Sequence, residues 1–225
     1  MLKLYHYPIS ANSRRVWIAL LEKGIPFELV ELNLDGDQLQ PEFLDLNPFH
    51  HIPVLVDNGF SVIESLAILD YLEAKFPIPA LLPSDAQAIA TVRMVQMVTV
   101  NELLPAMNPL IRQMMDIAVE EPQQLEQANQ KSVIVLTFFE RLLGDRPYFG
   151  GDHLSLADIV AGTAVPWFPG LGISLNDYPN LKHWAEGLMQ REAWQKTHPT
   201  PEVLEASKAR IKALMTAAQQ NRSES

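Results

Sequence analysis

The chain has 225 residues, 48% hydrophobic and 20% charged, an ordinary balance for a soluble globular protein with room for a substantial core. Lys and Arg total 17 against 27 Asp and Glu, a formal net charge of -10, which argues against a nucleic-acid surface but leaves room for a local basic pocket for a small anion. There are no cysteines, so disulfides, thiolate metal sites and a cysteine nucleophile are excluded. Met1-Leu2-Lys3-Leu4 leads straight into polar residues, and no apolar run approaches the ~18 residues of a membrane helix. The expectation is a cytoplasmic protein with no membrane and no nucleic-acid partner.

In chain order, Leu2 to Tyr7 alternates as a short strand that Pro8 ends. Asn12 to Lys23 is helical, with Val16, Ala19 and Leu20 on one face and Gly24 as its stop. Phe27 to Leu32 is a second strand. Asp35 to Gln40 is a polar connector, and Pro41 opens a short helix to Leu46. Asn47-Pro48 and Ile52-Pro53 break the backbone and push the residues before them toward extended geometry. Val54-Leu55-Val56 follows as a strand, Asp57-Asn58-Gly59 turns the chain, and Phe60-Ser61-Val62 returns. Glu64-Ser65 then opens a helix through Leu66, Leu69, Leu72 and Phe76. The order βαβαββα, with one parallel βαβ unit and a terminal hairpin, fits a thioredoxin-like α/β domain over residues 1–77.

Three prolines in Phe76 to Asp85 mark a linker, taken as 78–85. Residues 86–225 then read as an all-α bundle. Ala86 to Met115 is a long helical pattern in which Pro105 and Pro109 predict a kink or break. Pro122 to Leu143, Asp152 to Val165, Tyr178 to Gln190 and Pro201 to Gln220 supply four more helices. Ser155-Leu156-Ala157-Asp158 before an apolar run is a capping box, a structural element worth ~1 kcal/mol.

Two places have chemical potential. A polar pair at a helix start, Glu64-Ser65, is a ready anion site, because the first amides of a helix lack internal partners. Ser10-Ala11-Asn12-Ser13 joins the first strand to the first helix. Its S-x-x-S has the spacing at which redox relatives of the thioredoxin fold carry C-x-x-C, and serines cannot exchange disulfides. A hydroxyl at a helix N-terminus can instead donate a hydrogen bond to a thiolate that the helix dipole also favours. Both serines also suit simple N-caps.

The sequence V/I-P-x-L, a hairpin and E-S-x-A-I resembles the glutathione half-site of the glutathione transferases. The proline-rich linker between an α/β domain and an α-bundle extends the resemblance over nearly the whole chain. The resemblance implies a cis Ile52-Pro53 bond and a serine-type enzyme whose active serine stands five positions before the Arg of an R-V pair. With Arg15-Val16 as that pair, the implied catalytic residue is Ser10, with Asn12, Ser13 and Tyr5 as alternatives. Glutathione is then the co-substrate, with no resident cofactor and no metal. Its γ-glutamyl end is assigned to Glu64 and Ser65, its cysteinyl backbone to Ile52 beside Pro53, and its glycyl carboxylate to His51 and Gln38. His50 stands where relatives more usually carry glycine. The tandem histidines also admit a metal reading or a plain solvated loop.

The second substrate, a small hydrophobic electrophile, is expected between Ile9, Asn12 and the long helix carrying Met107, Asn108, Ile111, Met114 and Met115. Trp167-Phe168 would close that pocket, and the tail Val203 to Leu214 would cover it or pack on the bundle. A methionine stripe equally suits core or subunit contact. The functional expectation is thiol activation for detoxification by a homodimer. Two alternatives stand beside it: a zeta-type glutathione-dependent isomerase, and a non-enzymatic transferase-like scaffold.

Overall fold

The computed structural model describes residues 1–33, 36–117 and 119–223. Asp35, the first residue of the predicted polar connector, lies outside the described residues. The first half comprises β1 (Leu2–His6), α1 (Ala11–Glu22), β2 (Phe27–Glu31), α2 (Pro41–Leu44), β3 (Val54–Asp57), β4 (Phe60–Ile63) and α3 (Ser65–Lys75). The strands form one sheet in the order β2-β1-β3-β4, with β1 parallel to β2 and the other pairs antiparallel. Helix α1 is the crossover that a parallel pair requires. Asn58 and Gly59, both at positive φ (50° and 91°), close the β3–β4 hairpin between the paired residues Asp57 and Phe60. Asn-Gly tolerates that turn better than other dipeptides, which is why it was legible in advance.

The second half comprises α4 (Ala86–Val98), α5 (Leu104–Met114), α6 (Pro122–Leu143), α7 (Leu156–Ala161), α8 (Pro179–Met189), α9 (Glu192–Thr197) and α10 (Pro201–Ser223). The predicted break before Pro105 is a π-helical turn over Thr99–Leu103, in which the amide of Leu104 reaches back five residues to the carbonyl of Thr99. Pro105 has no N–H to continue an α-helical ladder, and the wider turn absorbs the missing bond. The helix expected from Asp152 to Val165 is shorter. Ser155 caps it, so helix begins at Leu156, and after Gly162 the chain tightens into a 3-10 stretch over Val165–Leu171. Helix α9 was not foreseen, because six residues carry too few turns for periodicity to show.

One hydrophobic core runs through both halves, from Leu4, Val16 and Leu72 to Phe139, Ile159 and Trp194. Helix α1 is the shared element, packing on α3 in its own half and on α7 and α9 in the other. The linker is pinned by the buried Lys23, whose ammonium meets Glu73 at 2.6 Å and donates to the carbonyls of Phe76 and Pro79.

Beneath the sheet His6 is 2% exposed, edge-on to Trp17 at 5.2 Å, with Nδ1 unpartnered. Burial lowers its pKa to about 4. A base whose folded pKa lies below its unfolded value near 6.5 takes up its proton more readily when unfolded. Stability carried by the neutral ring is therefore full above about pH 6.5 and declines as pH falls toward 4, by about 2–3 kcal/mol. Urea unfolding of wild type and His6→Asn at pH 7.5 and pH 4.5 checks this. An equal pH dependence in the two proteins would refute it.

Candidate functional site

Ser10 is the N-cap of α1, in extended backbone conformation (φ -72°, ψ 115°), and its Oγ accepts the amide of Ser13 at 3.3 Å. That bond uses a lone pair and leaves the hydroxyl proton free to donate outward. Ser13 is spent differently: it is fully buried, and its Oγ accepts the amide of Tyr7 at 3.3 Å. Tyr5 lies edge-on to Phe43 at 6.0 Å and lines neither cavity described below.

The loop before β3 is shaped by one residue that sequence reading passed over as a mere break. Asn47 is buried, and its side chain donates to the carbonyl of His51 at 2.8 Å and accepts the amide of Phe49 at 3.0 Å. This holds the loop to a cis Ile52-Pro53 bond, the isomer the resemblance implied, just before the ladder starts at Val54. His50 sits at φ +60° and Glu64 at φ +66°. His50 therefore keeps the left-handed backbone for which glycine is the usual choice, at a cost of roughly 1–2 kcal/mol.

These elements enclose an open cleft of ≈ 390 Å³ lined by Asn12, Gln38, Asn47, His50, His51, Ile52, Pro53, Glu64 and Ser65. All six residues assigned to glutathione are in it. Asn12, expected in the acceptor pocket, lines this cleft instead, because the first turn of α1 points it toward the β3 loop. Gln38 is oriented by the amide of Gly36, which donates to its Oε1 at 3.2 Å. Ser65 begins α3, so its amide is among those with no helical acceptor. Among the described residues, Glu64 is the one carboxylate in the lining.

Beneath the cleft lies Arg15, which sequence reading used only to set a register. It is 0% exposed, and it donates from one terminal nitrogen to Ser65 Oγ at 3.3 Å, while Nε and the other terminal nitrogen have no partner. Burial lowers its pKa to about 10, so it stays charged at neutral pH. An acidic protein thus keeps a positive charge behind the end of its cleft where Ser65 begins α3. No sequence signal marks such burial, since an Arg-Arg pair on a helix normally reads as solvated surface.

A second cavity, of ≈ 110 Å³, opens between the start of α1 and the helical half. It is lined by Ile9, Ala11, Arg14, Leu104, Met107, Ile111, Met114, Met115, Thr163, Ala164, Trp167 and Leu204. Ile9 and every named Met and Ile of α5 are there, with Trp167 and one residue of α10. Asn108 and Phe168 are not; Phe168 is fully buried in the core. Ser10 lies on the backbone between Ile9 and Ala11, which face this apolar cavity, and Asn12, which faces the polar cleft. Helix α10 is tied over the same region by Tyr7, whose hydroxyl meets Ser207 Oγ at 2.9 Å in a buried contact. Among the described residues, no group of three His, Asp or Glu could hold a metal ion, and no helix is long and apolar enough to cross a membrane.

Residues 4–80 match the glutathione S-transferase N-terminal domain and residues 97–192 the C-terminal domain of the same family. Over 201 residues the chain is 35% identical to maleylacetoacetate isomerase of Rattus norvegicus, covering 87% of this chain and 91% of that protein. Over 214 residues it is 36% identical to glutathione S-transferase 3 of Zea mays, covering 87% and 92%. Among solved structures, human glutathione-S-transferase T1-1 in its apo form superposes with a TM-score of 0.82 at 28% identity, over 96% of this chain and 97% of that one. A glutathione S-transferase-I bound with lactoylglutathione superposes with a TM-score of 0.78 at 31% identity, over 87% and 97%. Two family domains in tandem and relatives of this identity and coverage place the chain in the glutathione S-transferase family.

Proposed function

We propose that this protein conjugates glutathione to small apolar electrophiles, a cytoplasmic detoxification activity. Residues 1–77 hold the tripeptide and residues 86–225 supply the acceptor wall. The observation supporting this reading is that one stretch of backbone serves both cavities: Asn12 lines the polar cleft, Ile9 and Ala11 line the apolar cavity, and the half-buried Ser10 stands between them in sequence. In this reading Ser65 and the first amides of α3 take the γ-glutamyl carboxylate, with Arg15 behind them, and Glu64 meets the ammonium. Ile52, beside Pro53, offers its backbone to the cysteinyl unit, and His51 and Gln38 face the glycyl end. The thiol proton leaves to solvent, the Ser10 hydroxyl donates to the thiolate, and the sulfur attacks a molecule held against Met107, Ile111, Met114, Met115 and Trp167, either expelling its leaving group as an anion to solvent or opening a double bond whose carbanion takes a proton from water. Holding both reactants in contact supplies much of the acceleration.

Retention on glutathione-agarose, followed by a conjugation assay, tests the reading. Wild type that neither binds nor turns over would overturn it. The double variant Glu64→Ala/Ser65→Ala should raise the glutathione KM at least about 10-fold, since charge-assisted hydrogen bonds contribute roughly 1.5–3 kcal/mol. Tight binding by that variant would refute the clamp assignment.

The isomerase named among the relatives favours a second reading, in which the glutathione sulfur adds to a double bond, the single bond so formed rotates, and the sulfur departs to restore the double bond in its other isomer. A catalytic amount of glutathione then sustains turnover, whereas conjugation consumes it in stoichiometric amount. A scaffold that has lost chemistry is disfavoured by the intact cleft.

A homodimer is part of the proposal. Helices α4 and α6 carry exposed Met94, Met97, Ile134 and Phe138, and the last two line a groove of ≈ 340 Å³ with Val98, Glu102, Lys131 and Val135. An apolar face of this kind marks an interface more often than free surface. Light scattering should give about twice the chain mass of 25.3 kDa, falling to one chain in Ile134→Glu/Phe138→Glu. A wild-type monomer would refute this.

A further inference from the structure

The two arginines in sequence on α1 serve different cavities. Arg15 lies behind the glutathione cleft. Arg14 is 2% exposed and lines the acceptor cavity on one side. On its other side it lines a further cavity of ≈ 210 Å³, with Gly162, Pro166, Trp167, Gly170, Met189 and His198. Its Nε donates to the carbonyl of Thr197 at 2.9 Å. No carboxylate among the described residues pairs with it. A guanidinium taken from water without a counter-charge is costly, and the cost falls when a ligand supplies the anion. Burial lowers its pKa only to about 10, so the charge persists at neutral pH.

The surroundings suit an anion on an aromatic or unsaturated frame. Trp167 is the other shared wall, and its ring stacks on the imidazole of His198 at 5.5 Å and 22°. His198 is held toward its neutral form by burial and then by the charge of Arg14. The remaining lining is apolar or uncharged. Arg14 also follows Ser10 by one helical turn, its amide donating to the Ser10 carbonyl at 2.9 Å. Four residues rise about 6 Å along a helix, a span that one ring with a carboxylate can bridge.

We propose that the acceptor is an anionic electrophile: its apolar reacting end occupies the methionine-lined cavity near Ser10, and its carboxylate pairs with Arg14. The position of the reacting end rests on the transferase reading; the anion site does not. The molecule is otherwise acidic, so a lone buried cation between two cavities discriminates among acceptors as well as binding them. A planar guanidinium engages a carboxylate through two parallel hydrogen bonds.

The test compares glutathione conjugation of chlorodinitrobenzene with that of its ring carboxylate, chlorodinitrobenzoate. The variants are Arg14→Gln, Arg14→Lys and His198→Glu, the last placing an anion beside Arg14 without altering it. The ratio of kcat/KM, carboxylate over neutral substrate, should fall about 10- to 100-fold in Arg14→Gln, the range a charge-assisted pair supports. It should fall less in Arg14→Lys and fall clearly in His198→Glu. An unchanged ratio across all four proteins, or a wild type that prefers the neutral acceptor, overturns the proposal. If wild type conjugates neither compound, the transferase reading fails, and calorimetric titration with dinitrobenzoate still reads the site. Binding at least about 10-fold tighter to wild type than to Arg14→Gln upholds the anion site, and equal or absent binding overturns it.

Discussion

Ser10→Ala is expected to lower kcat/KM for glutathione conjugation about 10- to 100-fold while leaving the protein on glutathione-agarose. A charge-assisted hydrogen bond to a thiolate contributes roughly 1.5–3 kcal/mol, and each pKa unit corresponds to ~1.4 kcal/mol. Losing the hydroxyl should therefore raise the thiol pKa of bound glutathione by about one to two units toward its free value near 8.5. The signature is in the pH profile. The rising limb of kcat/KM moves to higher pH by that amount, so the defect shrinks in alkaline buffer. Lost N-capping adds a stability cost of ~1 kcal/mol, which moves the unfolding midpoint and not the pH–rate curve. Ser13→Ala should leave the pH limb in place, because Ser13 is buried and already accepts the Tyr7 amide. An unshifted limb in Ser10→Ala would transfer the role to Asn12, the polar side chain of that turn that lines the cleft.

The largest loss of stability is expected from Asp158→Ala. The carboxylate is 0% exposed. It accepts the amide of Phe149 at 3.0 Å, the amide and hydroxyl of Ser155 at 2.8 and 2.6 Å, and the indole of Trp184 at 2.9 Å. It is therefore more than half of a capping box: it joins the start of α7 to the loop before it and to α8. Alanine leaves four buried donors without an acceptor, at roughly 1–3 kcal/mol each before relaxation. Allowing for water entry and non-additivity, denaturant unfolding should show a loss of about 3–5 kcal/mol. Asp158→Asn should also destabilise, because its amide nitrogen must face one of those donors. The glutathione KM of folded Asp158→Ala should stay within about twofold of wild type, since none of these groups lines the cleft. A loss below about 1 kcal/mol would show that the network is not the lock that its geometry describes.

Much of the site was legible because it depends on short-range rules. Asn58-Gly59 demands its own turn, proline at 53 forbids a continuous helix into β3, and Ser155 and Asp158 at three-residue spacing cap whatever helix follows. The apolar periods of α1, α3 and α6 likewise mark their buried faces. Asn12, by contrast, expected beside the apolar cavity, lines the polar cleft. Its direction depends on where the β3 loop stands relative to α1, which no local pattern encodes.

The tertiary structure also changed the meaning of residues that looked unremarkable. Asn47 read as a break and is the template of the cleft loop. Ser10 was the implied residue with Ser13 as an alternative, and the two differ in the fold: Ser10 is a half-buried cap and Ser13 is sealed in the core. By itself, the sequence determined a thioredoxin-like domain and a helical bundle, because periodicity, turns and caps act within a few residues. Only the folded chain decided that Arg14 and Arg15 are buried on opposite duties. Burial of a charge depends on what packs over it, and that covering comes from α7, α9 and the start of α3, each remote in sequence.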